Sequence, residues 1–205
     1  MDEIVVVAGG SVPSARAAEA IPRGARAIAA NGGADHALAL GLDVDLAIGD
    51  FDSVTPDGLA AAAHVERHPV DKDATDLELA LRAAVARRPE RILVVGGSEG
   101  RLDHLLGEFL ILGADWLAGV EVDAVLGDAL IHVIHEERGL RGDEGELISL
   151  FALNGAASGI TTEGLAYALR GETLLPGSSR GISNRFAASQ ARITLGSGVL
   201  LAVRP

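Results

Sequence analysis

Along the first two thirds of the chain, short β-branched apolar runs alternate with longer Ala- and Leu-rich stretches of helical period. Ile4–Ala8, Ala27–Ala30, Leu46–Ile48, Ile92–Val95 and Val120–Leu126 have the length and composition of buried strands. Between them, Ala34–Leu40, Asp57–Ala63, Thr75–Ala86 and Leu102–Leu117 read as helices, the last with an apolar face through Leu105, Phe109 and Leu112. This alternation predicts an α/β fold, a parallel sheet with crossover helices. After about Leu130 the pattern changes. Ile131–Ile134, Leu147–Leu153, Leu165–Leu169, Ala191–Leu195 and Val199–Val203 are short runs between Gly-, Ser- and Asn-bearing turns, which predicts a small antiparallel β unit. The charged, Gly-rich stretch Glu136–Asp143 is the expected boundary between them.

Composition narrows the function classes. With 205 residues, 48% hydrophobic and 22% charged, the chain can bury a sizeable core. A net charge of −12 with no basic block argues against nucleic acid and against anionic membrane surfaces as partners. The absence of cysteine removes disulfides, thiolate nucleophiles and Cys-ligated metal sites. No signal-like segment and no apolar stretch of spanning length stand out, so the expected location is cytoplasmic. Lys72 is the only lysine among 17 basic residues.

In open α/β sheets, ligands bind beyond the carboxyl ends of the strands, and here those ends are acidic. Leu46-Ala47-Ile48 runs into Gly49-Asp50-Phe51-Asp52-Ser53, where the i, i+2 spacing of an extended segment turns both carboxylates to one side. Asp71-Lys72-Asp73-Ala74-Thr75-Asp76 precedes a helix, and Gly96-Gly97 through Gly100-Arg101 to Asp103-His104 follows another strand. Helix capping accounts for part of this: Asp73 can cap, and Thr75 with Glu78 has capping-box spacing. It does not account for Asp50 and Asp52. Two carboxylates about 4 Å apart repel by about 4 kcal/mol at an effective dielectric near 20, a cost that a bound dication reverses. Oxygen donors alone select magnesium, manganese or calcium, and magnesium normally arrives with substrate phosphates. An acidic rim that also carries Arg101, Lys72 and glycine turns therefore points to Mg-nucleotide chemistry.

Other chemistries lack their residues. The single lysine sits between two aspartates, not in G-K-[ST], which closes the P-loop route, and neither glycine cluster has G-x-G-x-x-G spacing. No G-x-S-x-G elbow is present. His132 and His135, three apart in an expected strand, face opposite sides and make poor co-ligands. Tyr167 reads as core or as a stacking face, and Ser183-Asn184 as a turn.

The ordered set Asn31-Gly32-Gly33-Ala34, Gly49-Asp50-Phe51-Asp52-Ser53, Asp71-Lys72-Asp73-Ala74-Thr75-Asp76, Gly96-Gly97 with Gly100-Arg101-Leu102-Asp103-His104, Gly164-Leu165 with Tyr167, and Ser183-Asn184 resembles the thiamine pyrophosphokinase family nearly end to end. The resemblance implies a doubly wound parallel-sheet ATP/Mg domain over residues 1–136. It implies a smaller antiparallel β-sandwich over 143–205 for thiamine binding and dimerisation. The implied reaction moves a pyrophosphoryl group from ATP to the thiamine hydroxyl, giving thiamine diphosphate and AMP, in a homodimer with active sites at the subunit interface. Asp50, Asp52 and Asp76 match magnesium-binding acids, with Asp73 beside them in the catalytic group. Lys72, Thr75, Gly97, Arg101 and Asp103 match the nucleotide side, and Tyr167, Ser183 and Asn184 the vitamin side.

Two positions depart from the family pattern: Asn31 stands where a carboxylate is usual, and Gly107-Glu108 falls where relatives often carry Asn. Two other readings remain open from sequence. One is a pyrophosphokinase for another primary alcohol such as a hydroxymethylpterin. The other, motivated by Asn31, is a non-catalytic sensor of nucleotide or thiamine diphosphate.

Overall fold

The structure is a computed structural model that describes residues 2–97 and 100–205. It divides into two compact units, Met1–Glu108 with Gly119–Asp128, and Phe109–Ala118 with Ala129–Pro205. The division falls at Asp128/Ala129, so the charged stretch Glu136–Asp143 lies inside the second unit.

The first unit runs β1 (Glu3–Val7), α1 (Ala15–Ala20), β2 (Arg26–Ala30), α2 (Gly33–Ala39), β3 (Asp43–Gly49), α3 (Pro56–Ala60), β4 (Ala62–Arg67), α4 (Asp76–Ala86), β5 (Arg91–Gly96), the start of α5 (Leu102–Leu112) and β6 (Glu121–Leu126). Its strands are parallel in the order β4-β3-β2-β1-β5-β6. The order reverses direction after β1, as in doubly wound sheets. Ile4–Val7, Ala27–Ala30 and Ile92–Val95 are buried throughout, which is why they read as unbroken apolar runs. A Cβ on Gly33 would lie 2.1 Å from the Val7 carbonyl oxygen, so only glycine lets the start of α2 pack against the end of β1.

Several expected elements have different limits. The helix expected over Asp57–Ala63 is the short α3, and the chain leaves it as β4, an edge strand paired with β3 through Leu46↔His64 and Ala47↔Val65. The open edge of β3 offers a ladder that one more helical turn cannot match. Helix α1 has no signature in the apolar pattern; Ser14 makes it, accepting from Ala17 N–H and donating to the Gly127 carbonyl at 2.6 Å. Helix α5 stops at Leu112, not Leu117, and Asp115–Leu117 is a separate 3-10 turn. The stop is a cap from β9 in the same unit: Asn154 Nδ2 donates to the carbonyls of Leu110 at 3.2 Å and Gly113 at 2.9 Å.

The second unit adds β7 (Ala129–Ile134), β8 (Glu137–Arg141), β9 (Leu147–Glu163), β10 (Arg170–Leu174), β11 (Asn184–Arg185), β12 (Gln190–Thr194) and β13 (Ser197–Arg204). All its pairings are antiparallel. The first part of β9 pairs with β13, which also pairs with β7; its last residues pair with β12, which also pairs with β8. Asn154 and Gly155, with φ of 59° and 156°, sit between the two stretches and redirect the strand. One apolar cluster, including Ile148, Leu150, Ile160, Phe186, Ile193 and Leu200, is shared by both sets of strands. The strand expected at Leu165–Leu169 reduces to a single bridge, Leu165↔Phe186. Among the described residues, no helix is long and apolar enough to cross a membrane.

Glu108 is the anomaly of α5: its Oε2 is buried without a hydrogen-bond partner, and burial pushes its pKa up from 4.5 to about 7. A carboxyl raised in the folded state adds stability that is complete below 4.5 and lost as pH rises through about 7. At about 1.4 kcal/mol per unit the full shift is worth roughly 3.5 kcal/mol, and the solvent that still reaches the group lowers this to about 2 kcal/mol. Glu108→Gln is therefore expected to match the parent at pH 5 and to exceed it by about that amount at pH 8.5 in urea unfolding. A constant difference between the two proteins at both pH values contradicts this.

Candidate active site

Asn31 follows β2, Asp50 and Asp52 follow β3, Lys72 precedes α4 and Asp76 opens it, so the acidic residues gather at the carboxyl edge of the parallel sheet. Gly49 permits the approach. Its φ is 151°, and a Cβ there would come within 3.1 Å of the Asp76 carboxyl carbon and 3.2 Å of Asn31 Cα. Asn31 and Phe51 adopt φ of 47° and 60°, a conformation that non-glycine residues hold only at a cost of about 1–3 kcal/mol, met by surrounding contacts. For Phe51 one such contact is Arg67, whose guanidinium lies 4.9 Å from the ring centroid.

Three carboxylates converge around two nitrogens. Asn31 Nδ2 donates to Asp50 Oδ1 and to Asp52 Oδ1, both at 3.0 Å. An amide nitrogen has two protons and both are used, which fixes the amide's orientation: the flipped form would set its oxygen against two carboxylates. Lys72 Nζ lies 3.3 Å from Asp50 Oδ2 and 3.1 Å from Asp76 Oδ1, and donates to the Pro69 carbonyl at 3.1 Å. The Asp76 contact is an ion pair, and Asp76 Oδ1, like Asn31 Oδ1, is buried without a hydrogen bond. Burial opposes the charge on Lys72, but the Asp76 and Asp50 contacts outweigh it and hold its pKa above the ordinary lysine value. Burial likewise opposes ionisation of Asp50, and the Asp52 N–H and Lys72 overcome it, leaving its carboxyl below the ordinary range.

The repulsion assigned to a dication is offset within the chain as well, by an ammonium and an amide. Among the described residues, no group of three or more His, Asp or Glu side chains is already arranged to hold a metal. The donors nevertheless fit a hard dication in kind, because all are oxygens and two of them, on Asn31 and Asp76, are buried without hydrogen bonds.

The neighbouring acids do other work. Thr75, expected on the nucleotide side, caps α4 by accepting from Glu78 N–H at 3.2 Å, so Asp73 is not the cap and is simply exposed. The Glu78 carboxylate bonds Arg82 rather than closing a capping box. Arg101 and Asp103 form an exposed bidentate pair at 2.6 and 3.2 Å, and the guanidinium holds Asp103 down to about 2. Gly97 packs against Ser11, where a Cβ would strike the Ser11 side chain and carbonyl. Ser98 and Glu99, in the same glycine segment, lie outside the described residues.

Within the second unit, Asn184 is buried and spent on backbone: its Oδ1 accepts from Tyr167 N–H and Arg185 N–H, both at 2.9 Å, and its Nδ2 donates to the Tyr167 carbonyl at 2.8 Å. The effect is to fix the backbone of Tyr167, whose side chain is 64% exposed. Ser183 holds a φ of 60°, with its N–H bonded to Ser149 Oγ at 3.0 Å.

Comparison with known proteins decides what the chain is related to. A family model described as thiamin pyrophosphokinase, catalytic domain, matches residues 19–115, and one described as thiamin pyrophosphokinase, vitamin B1 binding domain, matches 130–200. A curated protein named thiamine pyrophosphokinase, from Bacillus subtilis, is 30% identical over 166 residues, 77% of each chain. The chain belongs to the thiamine pyrophosphokinase family. A crystal structure of thiamine pyrophosphokinase from Bacillus subtilis superposes with a TM-score of 0.83 at 27% identity over 98% of both chains. Thiamin pyrophosphokinase from Candida albicans, at 13% identity, has the same fold, with a TM-score of 0.75 over 99% of this chain and 88% of that one.

Two residues that matter to this family member's acidic rim escaped sequence reading. Asn31 registers in sequence only as a departure from the family pattern, whereas the structure uses its amide to join Asp50 and Asp52. Asp35 anchors the far end of the acidic loop, accepting from Thr55 N–H at 2.9 Å and from the Thr55 hydroxyl. Its signal was available: an acid in the first turn of a helix, with a threonine before a proline two residues past the Asp50–Ser53 segment.

Proposed function

We propose that this protein is a thiamine pyrophosphokinase that transfers the pyrophosphoryl group of ATP to the hydroxyl of thiamine, producing thiamine diphosphate and AMP. The observation that carries the proposal is the convergence of Asp50, Asp52 and Asp76 on one rim of the sheet, in a chain matched in order by both family models. Asp50, Asp52 and Asp76 hold magnesium, with Asp73 exposed beside them. Magnesium, when bound, supplies charge neutralisation on the phosphates. Lys72, Arg101 and Asp103 orient the nucleotide, with Gly97 letting its segment pack against Ser11 and Thr75 setting the start of α4. Tyr167 offers an exposed aromatic face to the thiazolium cation, while Asn184 and Ser183 shape the adjoining backbone. The thiamine hydroxyl oxygen attacks the β-phosphorus and gives up its proton to solvent, the bond from that phosphorus to the α-phosphate's bridging oxygen breaks, and AMP leaves with the oxygen. Catalysis of this kind rests on positioning and electrostatics.

The antiparallel unit serves as the vitamin-binding sandwich, and the enzyme works in the cytoplasm as a homodimer. Leu102, Leu106 and Leu110, four apart on α5 and 54–68% exposed, supply apolar surface for association. Sedimentation should give twice the 21.0 kDa chain mass.

Incubation of the purified protein with ATP, magnesium and thiamine should yield AMP and thiamine diphosphate in equal amounts. AMP formation only with another alcohol points to the hydroxymethylpterin class of substrate. Ligand-dependent thermal stabilisation without AMP points to a sensor.

A further inference from the structure

The acidic rim already contains a cation. Lys72 Nζ is within 3.3 Å of three oxygens, those of Asp50, Asp76 and Pro69, and an ammonium has three protons. Its side chain is 14% exposed, beside 12% for Asp50 and 17% for Asp76, so the charges meet where water screens them little. The lysine stem reaches back from the loop that precedes α4, and the same loop is closed by the Thr75 cap. Nothing in helix formation requires this placement: the capped helix begins at Asp76 whether or not Lys72 folds inward. What requires it is the set of carboxylates, which would otherwise face one another uncompensated.

A magnesium ion sits 2.0–2.1 Å from its ligand oxygens. Asp50 and Asp76, two of the residues that would hold the magnesium, are the same two carboxylates that the ammonium contacts. We propose that Lys72 is a displaceable counter-cation: it keeps the acidic rim assembled without metal, and it must swing out before Asp50 and Asp76 share a dication. This rests on the functional reading only through the identity of the metal site. A lysine suits the role because its charge is a compact point on a flexible four-carbon stem, whereas a guanidinium is a planar fork committed to bidentate geometry. It also gives chemical sense to the chain's single lysine among sixteen arginines, the count following from 17 basic residues less Lys72. Once released, the ammonium remains tethered at the rim as a donor to a phosphate oxygen, so the loss of one anionic partner is matched by the arrival of another.

Because the sequence has only one lysine, labelling with 15N-lysine gives one Nζ signal and no assignment problem. The metal-free protein should show an ammonium resonance whose protons exchange slowly. Adding Mg2+ alone should abolish that protection, with the same midpoint as metal binding. In parallel, Lys72→Gln should bind Mn2+ about tenfold more tightly by electron paramagnetic resonance of the free ion, a factor equal to ~1.4 kcal/mol. Its metal-free Tm should fall by several degrees, and the fall should vanish at saturating Mn2+. A charge acting only through space would tighten Mn2+ binding without disturbing the wild-type ammonium signal, and that pattern overturns displacement. So does a Mn2+ affinity equal to or weaker than wild type in Lys72→Gln, and so does a protected ammonium at millimolar Mg2+. Failure here is separable from failure of the functional reading: a protein that makes thiamine diphosphate while its ammonium ignores Mg2+ keeps its activity and loses this mechanism. One that releases its ammonium to Mg2+ but forms no AMP does the reverse.

Discussion

Asp76→Asn is expected to lower kcat for AMP formation on the order of a thousandfold, a loss typical of removing one preorganised electrostatic contact at a reacting centre. The substitution leaves side-chain volume nearly unchanged and removes one negative oxygen from the group that faces Lys72. Stability should move little. Asp76 is the first residue of α4, where an acid gains about 0.3–1 kcal/mol from the helix dipole, and the Thr75 cap that defines the helix start is untouched. The ion pair to Lys72 is 14–17% exposed and is already shared with Asp50, so its loss is partly made up by the remaining partner. Steady-state AMP release beside urea unfolding separates the two effects. Turnover within a few-fold of the parent would remove Asp76 from the metal-holding group. A collapse of stability in step with turnover would make its role structural.

The parallel half was legible because its strands are buried on both faces, so pattern and burial coincide: Val5–Val7, Ala27–Ala30 and Ile92–Val95 need no tertiary information to be recognised. What escaped was decided by partners distant in sequence. β4 is built of Ala, His, Val, Glu and Arg, is mostly exposed, and exists because β3 offers an edge. The end of α5 is set by an asparagine more than forty residues downstream, a contact spanning |i−j| of 41 and 44 that no local rule contains. β9 runs for 17 residues across a bend at Asn154–Gly155, so its apolar alternation changes face partway and only its first part reads as a strand.

The candidate site was legible in its acids and illegible in its nitrogens. Asp50 and Asp52 meet, as their i, i+2 spacing suggests, although the backbone between them is not extended: Phe51 turns at φ 60° and the Asn31 amide joins the two carboxylates, while Asp76 comes to them because a helix starts where Thr75 caps it. Lys72 read as a phosphate contact and Asn31 as a lapse from the family pattern, since sequence supplies no distance between β2, β3 and the loop before α4. The structure joins them: one amide and one ammonium link three carboxylates from separate segments. Asn184 was assigned to a ligand from resemblance, and in the structure its amide makes two bonds to the Tyr167 backbone and one to the Arg185 N–H. An asparagine that sets the position of an exposed ring can be as necessary as one that touches the substrate.

Asp123→Ala is expected to cost about 3 kcal/mol of folding stability while leaving kcat unchanged. Asp123 lies on β6, 1% exposed, and accepts from Arg91 Nη2 at 2.6 Å and Nε at 3.1 Å. Arg91 also reaches Glu3 at 3.0 Å and Glu121 at 3.5 Å. Register explains the grouping: Glu3 pairs with Arg91 and Arg91 with Glu121, so one guanidinium spans three adjacent parallel strands at their amino ends. That edge is opposite the one carrying Asp50 and Asp76, hence the expected indifference of kcat. Removing buried Asp123 takes a partner from the half-buried Arg91 guanidinium; a broken, fully buried pair typically costs about 3–5 kcal/mol, and the solvent that reaches Arg91, with its surviving contacts to Glu3 and Glu121, places the expectation at the lower end. The double variant Arg91→Met, Asp123→Leu should recover most of the loss, because replacing both charges with apolar groups removes the desolvation penalty with the attraction. Urea midpoints of the single and double variants test this directly. If the double variant is no more stable than Asp123→Ala, the network's value lies in joining β1, β5 and β6 rather than in balancing the charge buried beneath them.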